Sequence, residues 1–318
     1  MEPKRTPSTI PLERLRIRAA ESLQAILTLA FDEDIGPGDL TTDVLIDTDL
    51  ACNGRLTAKD KGVVAGLLLV PPILHRVSSR LQFLPAVDDG HAVDAGALLG
   101  RILGPARPML TAERTLLNFL QALSGIATLT RRYVDAVAGT DAVILDTRKT
   151  TPGWRYLEKY AVRMGGGVNH RTGLHDGVLI KDNHLALRAP NHIGETIAEL
   201  VREARSRIDP EMPIQVEVER LEYLPEVLAS EPDVVLLDNM PPPMLRQAVE
   251  LRDRLFPGAG PALEASGGIT LENVREVAQV GVDRISVGAL THSAPVLDIS
   301  LEVQRGADVD PSDGKDTP

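Results

Sequence analysis

Apolar residues in the second half of the chain alternate between short continuous runs and stretches with helical spacing. The short runs predict strands at Ala142–Asp146, Val178–Lys181, Ile214–Glu219, Val234–Asp238, Ala262–Ser266 and Arg284–Gly288. Amphipathic stretches between them predict helices near residues 154–164, 194–207, 221–230, 243–255 and 270–280. Strands that alternate with helices pair in parallel, and their number favours an α/β barrel over a broad open sheet.

The first half of the chain has a different pattern. Apolar residues with helical spacing predict one helix over Leu15–Ala30, which should end at the turn-rich segment Asp34–Asp39. A second, longer helix is predicted at residues 112–138. Between these helices, Gly and Pro break the chain into short β-like runs at Gly54–Thr57, Gly62–Leu69 and Ala97–Leu103. This pattern is typical of a small mixed α/β domain.

We therefore expect two domains. The N-terminal domain is predicted at residues 1–115 and the barrel at residues 116–288. The polar, Asp-rich segment 306–318 is predicted to be a disordered acidic tail.

Charge limits the possible partners of the protein. The 318 residues carry a formal net charge of −11, from 45 acidic and 34 basic residues, so the summed field repels nucleic acids and anionic membranes. An anionic substrate therefore requires a local exception. The single cysteine, Cys52, excludes an intrachain disulfide and any cysteine-rich metal motif. Since no export signal or membrane span is visible either, we expect a cytoplasmic protein.

Ionisable and glycine-rich residues follow the predicted strands. In a parallel barrel the carboxyl ends of the strands meet on one face, where substrates bind. The residues at these ends are Thr147-Arg148-Lys149, Lys181, Glu217, Glu219, Asp238, Ser266-Gly267-Gly268 and Gly288. Taken singly, an Arg-Lys pair is commonly a solvated loop and a Gly-Gly a plain turn. Their repetition at one end of successive strands indicates a binding site.

The local exception in charge lies between Asp146 and His184, a segment that contains seven Lys or Arg residues and four acids. Arginine binds carboxylate or phosphate through two parallel hydrogen bonds, and lysine adds a mobile charge, so this segment suits a small polyanion. Glu219 and Asp238 fit a divalent cation or sugar hydroxyls, although helix caps or surface carboxylates remain equally compatible. The glycines after the last two strands would offer backbone N–H groups at helix starts, which bind phosphate.

Several motifs in these segments resemble one enzyme family. They are Thr147-Arg148-Lys149-Thr150-Thr151-Pro152-Gly153, Gly165-Gly166-Gly167-Val168-Asn169-His170-Arg171, Ile180-Lys181-Asp182-Asn183-His184, Val216-Glu217-Val218-Glu219, Leu237-Asp238-Asn239 and Glu264-Ala265-Ser266-Gly267-Gly268-Ile269. The chain resembles quinolinate phosphoribosyltransferase, also called nicotinate-nucleotide pyrophosphorylase (carboxylating), over residues 20–302 approximately. Trp154 stands where the resemblance leads us to expect an aliphatic residue or Phe, and the linker between Glu219 and Asp238 looks short.

The resemblance implies a fold and an activity. The barrel would be incomplete, and residues from about 289 to 305 would rejoin an N-terminal α/β sandwich domain. The enzyme would convert quinolinate and phosphoribosyl pyrophosphate to nicotinate mononucleotide, pyrophosphate and carbon dioxide in de novo NAD biosynthesis. Magnesium would be bound mainly through the pyrophosphate substrate, without a separate protein metal site.

The resemblance also implies roles for individual residues. Arg148, His170, Arg171 and Lys181 would hold the dicarboxylate, and Arg114 would reach the site of the neighbouring subunit in a homodimer. The residues implied for phosphoribosyl pyrophosphate are Lys149, Glu219, Asp238, Ser266, Gly267, Gly268 and Gly288, with Thr147 in the same substrate loop. Lys149, Lys181, Glu219 and Asp238 would be the catalytic residues.

Three alternatives stay open. Two are related phosphoribosyltransferases, one of the type found in molybdenum uptake operons and one that takes nicotinate. Arg114, Arg148, Arg171 and Lys181 together argue against both, because they suit a substrate with two carboxylates. The third is a catalytically silent ligand sensor, which would be expected to have lost Lys149, Glu219 or Asp238. For His75, His91, His192 and Cys52 we expect structural roles.

Overall fold

The computed structural model describes residues 10–188 and 193–306 of the chain. These residues form two units. The described part of the first, the antiparallel unit, comprises residues 16–129, 156–165 and 294–306. The described part of the second, the barrel unit, comprises residues 10–15, 130–155, 166–188 and 193–293. His192 and the predicted tail beyond residue 306 lie outside the described residues.

Helices and strands occur throughout the described residues. The first elements are α1 (Leu12–Asp34), α2 (Leu40–Leu45), β1 (Ala51–Ala58), β2 (Gly62–Val63), a 3-10 helix (Leu67–Leu69), α3 (Val70–Val77), β3 (Gln82–Pro85), β4 (Ala92–Val93), β5 (Leu98–Pro105) and α4 (Ala106–Ala136). The later elements are β6 (Val143–Leu145), α5 (Arg155–Met164), β7 (Val178–Ile180), α6 (Asp182–Arg188), α7 (Ile193–Arg207), β8 (Ile214–Val218), a 3-10 helix (Leu221–Tyr223), α8 (Leu224–Ala229), β9 (Val234–Asp238), α9 (Pro242–Leu255), β10 (Ala262–Ser266), α10 (Val274–Gln279), β11 (Arg284–Ser286), α11 (Ala289–His292) and β12 (Ile299–Arg305).

A four-stranded sheet with the order β12-β1-β5-β3 forms the centre of the antiparallel unit. β12, from the end of the described chain, pairs antiparallel with β1, so that Cys52 faces Arg305 and Ala58 faces Ile299. β1 in turn pairs antiparallel with β5. Leu56, Ala58 and Ile102 are fully buried, as expected for strands that present one face to a hydrophobic core.

The predicted β-like run Gly62–Leu69 is only partly a strand. The strand β2 ends at Val63, and a 3-10 helix followed by α3 takes the rest of the apolar run. The turn into these helices begins at Gly66, with φ of 105°, and the Asp89 carboxylate accepts the Leu67 N–H at 2.8 Å. Two prolines then occupy the first turn of α3, where a missing N–H costs nothing. Apolar content alone therefore predicted the wrong element here.

Six parallel strands form the sheet of the barrel unit, in the order β6-β11-β10-β9-β8-β7. The first two strands along the chain, β6 and β7, are the two edges of this sheet and do not pair with each other. The barrel is thus open between them, which confirms the expectation of an incomplete barrel. Ser266 at the end of β10 pairs in register with Asp238 of β9 and Ser286 of β11. This register places the carboxyl ends of neighbouring strands at one level.

The helix predicted to start near Thr270 begins only at Val274. The Asn273 side chain explains the delay, because it accepts the Thr270 N–H and donates to the Gly268 carbonyl, both at 2.9 Å. These bonds close a turn between the strand and the helix. The short helices α2 and α6 had no counterpart in the sequence prediction. In the described part of the chain, no helix is both long and apolar enough to span a bilayer.

Gly125 in α4 allows a close approach within the antiparallel unit, since a Cβ there would overlap the Pro295 carbonyl oxygen. We expect Gly125→Ala to lower the free energy of unfolding by about 3 kcal/mol, because backbone must move to relieve the clash. Urea unfolding would measure this loss. Asn118→Ala, at an exposed position of the same helix, is the matched control and should change stability little. Equal stability of the two variants would contradict the close packing.

Candidate active site

A pocket of about 410 Å³ lies at the carboxyl ends of the strands in the barrel unit. Its walls combine basic, acidic and hydroxyl side chains with only two leucines. The lining residues are Thr147, Arg148, Lys149, His170, Arg171, Leu179, Lys181, Glu217, Leu236, Asp238, Ser266 and Ser286. The strand ends therefore converge on one polar cavity, as the sequence pattern predicted.

Most of the sequence-predicted site residues lie in this pocket, but five do not line it. Glu219 is exposed just beyond the end of β8, and Arg114 is exposed on α4 in the antiparallel unit. The other three are the glycines Gly267, Gly268 and Gly288, which lie in the loops after β10 and β11.

The sequence analysis placed Glu217 at a strand end but gave it no individual role, and it lines the pocket. Glu217 lies two residues before Glu219, and alternate residues of a strand share a face, so this spacing was the available signal.

Two arginines in the pocket repel each other. Burial and then the nearby charge of Arg148 lower the pKa of the Arg171 guanidinium, while Asp176 acts in the opposite direction. Arg171 donates from Nη1 to the Gly177 carbonyl at 3.0 Å. The Nε atoms of both arginines are buried and have no hydrogen-bond partner among the described residues. Like charges held together with unused buried donors are characteristic of a site that binds an anion.

A fully buried carboxylate fixes the loop that carries Arg171. Asp146 follows β6 and accepts hydrogen bonds from the Asn169 side-chain amide at 2.6 Å and from the His170 backbone N–H at 2.9 Å. Val168 forms a parallel bridge with Leu145 beside it. The loop is thus held against the end of the first strand, which orients the side chains that follow.

The His170 ring connects this loop to the barrel interior. Its Nδ1 accepts the Arg171 backbone N–H at 2.8 Å, and its Nε2 lies 3.5 Å from Oε1 of Glu264. Glu264 is completely buried on β10, and its Oε2 accepts a hydrogen bond from Nε of Arg284 at 2.7 Å. Burial alone would raise the pKa of Glu264, but its interactions with His170 and Arg284 and hydrogen bonds from Arg284 and Ser286 hold it below its ordinary value. Glu264 is therefore an anion.

Lys181 already has an acidic partner within the pocket. Its ammonium forms an ion pair with the Glu217 carboxylate. The Lys181 backbone N–H donates to Nδ1 of His184 at 3.0 Å, next to the start of α6. The sequence prediction treated Lys181 as a cation for the substrate alone, and this ion pair is an additional interaction.

The loops after β10 and β11 pack closely against neighbouring side chains. Lys149 is held by two hydrogen bonds, from its N–H to Oγ1 of Thr147 at 3.0 Å and from Oγ1 of Thr291 to its carbonyl at 2.8 Å. A Cβ at Gly288 would meet the Lys149 side chain at 3.3 Å, and a Cβ at Gly267 would overlap the Asn239 side chain. Glycine at both positions keeps these loops close to the pocket. Because α10 begins at Val274, however, the loop with Gly267 is a turn and not the expected helix N-terminus.

Family models match most of the chain. The model described as "Quinolinate phosphoribosyl transferase, C-terminal domain" covers residues 126–302, and the corresponding N-terminal domain model covers residues 39–124. The chain belongs to the quinolinate phosphoribosyltransferase family. Among its relatives, a nicotinate-nucleotide pyrophosphorylase (carboxylating) of Mycobacterium leprae is 45% identical over 86% of this chain and 94% of the relative. A probable one of Bacillus subtilis is 41% identical over 88% of this chain and 93% of the relative.

Solved structures agree with this membership of the quinolinate phosphoribosyltransferase family. The nicotinate-nucleotide pyrophosphorylase of Francisella tularensis superposes with a TM-score of 0.82 and 35% identity, over 90% of this chain and 97% of that one. A human nicotinic acid phosphoribosyltransferase, with a TM-score of 0.54 and 13% identity over 88% of this chain and 73% of that one, shares the fold.

The loop after Arg171 is closed by an acid whose contribution depends on pH. Asp176 accepts hydrogen bonds from N–H and Oγ1 of Thr172, both at 2.6 Å, and from the Gly173 N–H at 2.8 Å. Burial opposes ionisation, but these bonds outweigh it and lower the pKa of Asp176 from 3.8. Since the folded pKa is the lower one, the stabilisation is present above pH 3.8 and is lost as the pH falls through the folded value.

We expect Asp176→Asn to destabilise the protein by about 2 kcal/mol at neutral pH, because one amide oxygen cannot replace three charge-assisted acceptor contacts. Urea unfolding of both proteins over a pH series would measure the difference. The difference should stay constant down to mildly acidic pH and shrink below pH 3.8. A difference independent of pH throughout would show that the charge of Asp176 is not involved.

Proposed function

We propose that this protein is a quinolinate phosphoribosyltransferase (decarboxylating) of de novo NAD biosynthesis. It would convert quinolinate and phosphoribosyl pyrophosphate to nicotinate mononucleotide, pyrophosphate and carbon dioxide. The observation that carries the proposal is the pair Arg148 and Arg171, which share one pocket and have unused buried Nε donors within the described chain. The match of the chain to both domain models of the family supports the same activity.

The pocket favours a dicarboxylate over a monocarboxylate. Quinolinate carries adjacent carboxylates on one aromatic ring, so each could receive a guanidinium with two parallel hydrogen bonds. Lys181 adds a third cation, although Glu217 offsets part of its charge. Nicotinate, with one carboxylate, would leave one of two repelling arginines without a counter-charge. This argument separates the proposal from the related nicotinate-type enzyme and from the molybdenum-operon type.

The second substrate and magnesium would share this pocket with the dicarboxylate. Asp238, Lys149 and Ser266 are among its lining residues, and Gly267, Gly268, Gly288 and Glu219 lie in the loops that follow β8, β10 and β11. Within residues 10–188 and 193–306, no group of three or more His, Cys, Asp or Glu could hold a metal ion. Mg²⁺ suits such a site when one or two carboxylates combine with substrate phosphates, and Asp238 is the available pocket carboxylate. Bound in this way, Mg²⁺ would stabilise the negative charge of departing pyrophosphate.

The protein residues would accelerate the first step by position and charge. Arg148 and Arg171 would hold the pyridine ring so that its nitrogen attacks C1′ of the ribose as the bond to pyrophosphate breaks. Lys149 would stabilise the leaving anion. The carboxylates of Asp238 and Glu219 would hold ribose hydroxyls and favour the positive charge that develops on the sugar ring.

The second step needs no further cofactor. Once the pyridine nitrogen carries the ribosyl group it is cationic, and it can accept the electron pair that remains when the adjacent carboxylate leaves as carbon dioxide. The resulting ring carbon then takes up a proton to give nicotinate mononucleotide. The arginines would keep the ring in place through this step, because the second carboxylate stays on the product.

The direct test is to mix the pure protein with quinolinate, phosphoribosyl pyrophosphate and Mg²⁺ and to measure nicotinate mononucleotide and carbon dioxide. We expect both products in equal amounts. Removal of the metal with EDTA should abolish the activity, and excess Mg²⁺ should restore it. Nicotinate in place of quinolinate should give little product. Efficient turnover of nicotinate, or no turnover of quinolinate, would overturn the proposal.

The two arginines give a sharper prediction. Arg148→Ala and Arg171→Ala should each raise the KM for quinolinate and lower kcat/KM by about a hundredfold, because a charged bidentate contact is lost. The matched control is Arg207→Ala, at a side chain that is 74% exposed in the same unit. Steady-state kinetics with both substrates would measure the effects. Wild-type kinetics in both pocket variants would contradict the assignment.

We propose further that the enzyme is a homodimer in which Arg114 contributes to the partner's site. The exposure of Arg114 on α4 supports this, since an exposed arginine is available to another subunit. Arg114→Ala and Arg171→Ala homodimers should both be nearly inactive. Mixed and reassociated, they should recover about a quarter of wild-type activity, because half of the dimers contain one intact site. No recovery, in a mixture shown by mass spectrometry to contain mixed dimers, would place Arg114 in its own subunit's site.

We also propose a cytoplasmic location for this enzyme. The single buried cysteine, Cys52, supports a reducing compartment, since the chain gains no stability from oxidation. Fractionation of the source cells would test the location.

A further inference from the structure

A buried acid in the barrel unit contacts both a buried arginine and the loop that carries Arg171. Glu264 and Arg284 are paired in register on β10 and β11 and are 0% and 2% exposed. One carboxylate oxygen accepts the Arg284 Nε–H at 2.7 Å. The other, Oε1, has no hydrogen-bond partner among the described residues and lies 3.5 Å from Nε2 of His170. Glu264 therefore has one oxygen committed to Arg284 and one directed to the histidine.

The hydrogen bond on the other side of the ring determines where the His170 proton lies. Nδ1 accepts the Arg171 backbone N–H at 2.8 Å, so it carries no proton of its own. A neutral imidazole has one donor and one acceptor nitrogen, which leaves the proton on Nε2, next to Glu264. Nδ1 thus accepts a hydrogen bond within the protein, and Nε2 faces the Glu264 carboxylate at 3.5 Å.

We propose that Glu264 is a positioning residue for the dicarboxylate site, acting through the His170 ring on the backbone of Arg171. The inference rests on the proposed function, because it assigns Arg171 to quinolinate. The ring with its proton on Nδ1 would place one donor against another at the Arg171 N–H and push the loop away. The same ring would turn an unprotonated Nε2 towards the Glu264 anion. Both effects select the Nε2–H form and keep the Arg171 guanidinium in the pocket.

Arg284 stabilises the ionised form of Glu264 on which this arrangement depends. Its guanidinium keeps Glu264 ionised in a place where burial alone would favour the neutral acid. A neutral Glu264 could turn a hydroxyl proton towards His170 and lose its preference for the Nε2–H form. The chain Arg284, Glu264, His170 and Arg171 therefore transmits a fixed orientation from the strands to the substrate loop.

Glu264→Gln tests the inference with little change in size. An amide has one acceptor oxygen, and the buried Arg284 Nε–H would take it, so the amide NH₂ would face His170. We expect the ring to move its proton to Nδ1, seen as exchanged ¹⁵N shifts in histidine-labelled protein, with the signal assigned by its loss in His170→Gln. The KM for quinolinate should rise at least about tenfold, because a charge-assisted contact is lost, and the KM for phosphoribosyl pyrophosphate should stay unchanged.

Asp283→Asn is the matched control. Asp283 precedes β11, at the amino end of the same strand, and its carboxylate accepts from Nη1 of the buried Arg252 at 2.6 Å and from the Leu263 N–H at 2.8 Å. This variant also removes a negative partner of a buried arginine, although Arg252 keeps its ion pair with Asp253, so it reports the cost of losing one such contact. We expect reduced stability, wild-type ¹⁵N shifts for His170 and an unchanged ratio of the two KM values.

Glu264→Asp covers the case in which Glu264→Gln does not fold. The aspartate keeps the charge opposite Arg284 but withdraws the carboxylate by one methylene group, so a smaller rise in the KM for quinolinate alone is expected. Wild-type ¹⁵N shifts and wild-type KM in either folded variant would overturn the inference, as would equal rises in both KM values. If the wild type does not turn over quinolinate, the proposed function fails, while the ¹⁵N measurement still decides the link between Glu264 and His170.

Discussion

The arrangement of the site depends on keeping two like charges close together in a partly buried pocket. Arg148 and Arg171 repel each other, and an acid beside them would cancel the charge that a substrate needs. The fold meets this constraint by using buried acids that hold the loop without pairing with either arginine. Asp146 accepts the His170 backbone N–H, and Glu264 faces the His170 ring. The positive charge is thus left for an anion in a protein whose formal net charge is −11.

The parallel sheet brings these residues to one place without any long-range signal in the sequence. Strands in register end at the same level, as Ser266, Asp238 and Ser286 do, so the last residues of these strands line a shared cavity. The opening between β6 and β7 leaves the first two strands unpaired with each other. Their ends carry Arg148 and Lys181, whose side chains nevertheless line the same pocket.

The sequence predicted elements well where one local rule decides them. Five-residue apolar runs gave β9 and β10 with their observed bounds, and polar residues after strands pointed to the pocket. It predicted less well where a distant or side-chain contact decides. The Asp89 carboxylate binds the Leu67 N–H where the run after Val63 becomes helical, and the Asn273 side chain binds the Thr270 N–H before α10 begins. Neither contact can be read from the hydrophobic spacing.

Glu264 shows the same limit within the site. It lies inside a strand whose residues before Ser266 are otherwise apolar, and its partner Arg284 is twenty residues away on the next strand. The available signal was its spacing, because Glu264 and Ser266 share a face of β10. That spacing indicates the face of β10 to which the Glu264 side chain points, but it does not indicate which residue lies opposite. Only the register of β10 with β11 defines that residue. The proton position on His170 depends on a further contact across the ring and is not visible in the sequence at all.

The two ion pairs of the site differ in how easily a substrate can replace them. Lys181 is 40% and Glu217 10% exposed, so this pair borders the open pocket, and under the proposed function a carboxylate of the substrate would compete with Glu217 for the ammonium. Glu264 and Arg284 are almost completely buried, and removing one partner of such a pair costs about 3–5 kcal/mol. The difference in burial therefore separates a pair at the pocket wall from a fixed pair behind it. Under the proposed function, the first pair would be exchanged on binding while the second keeps the loop in place.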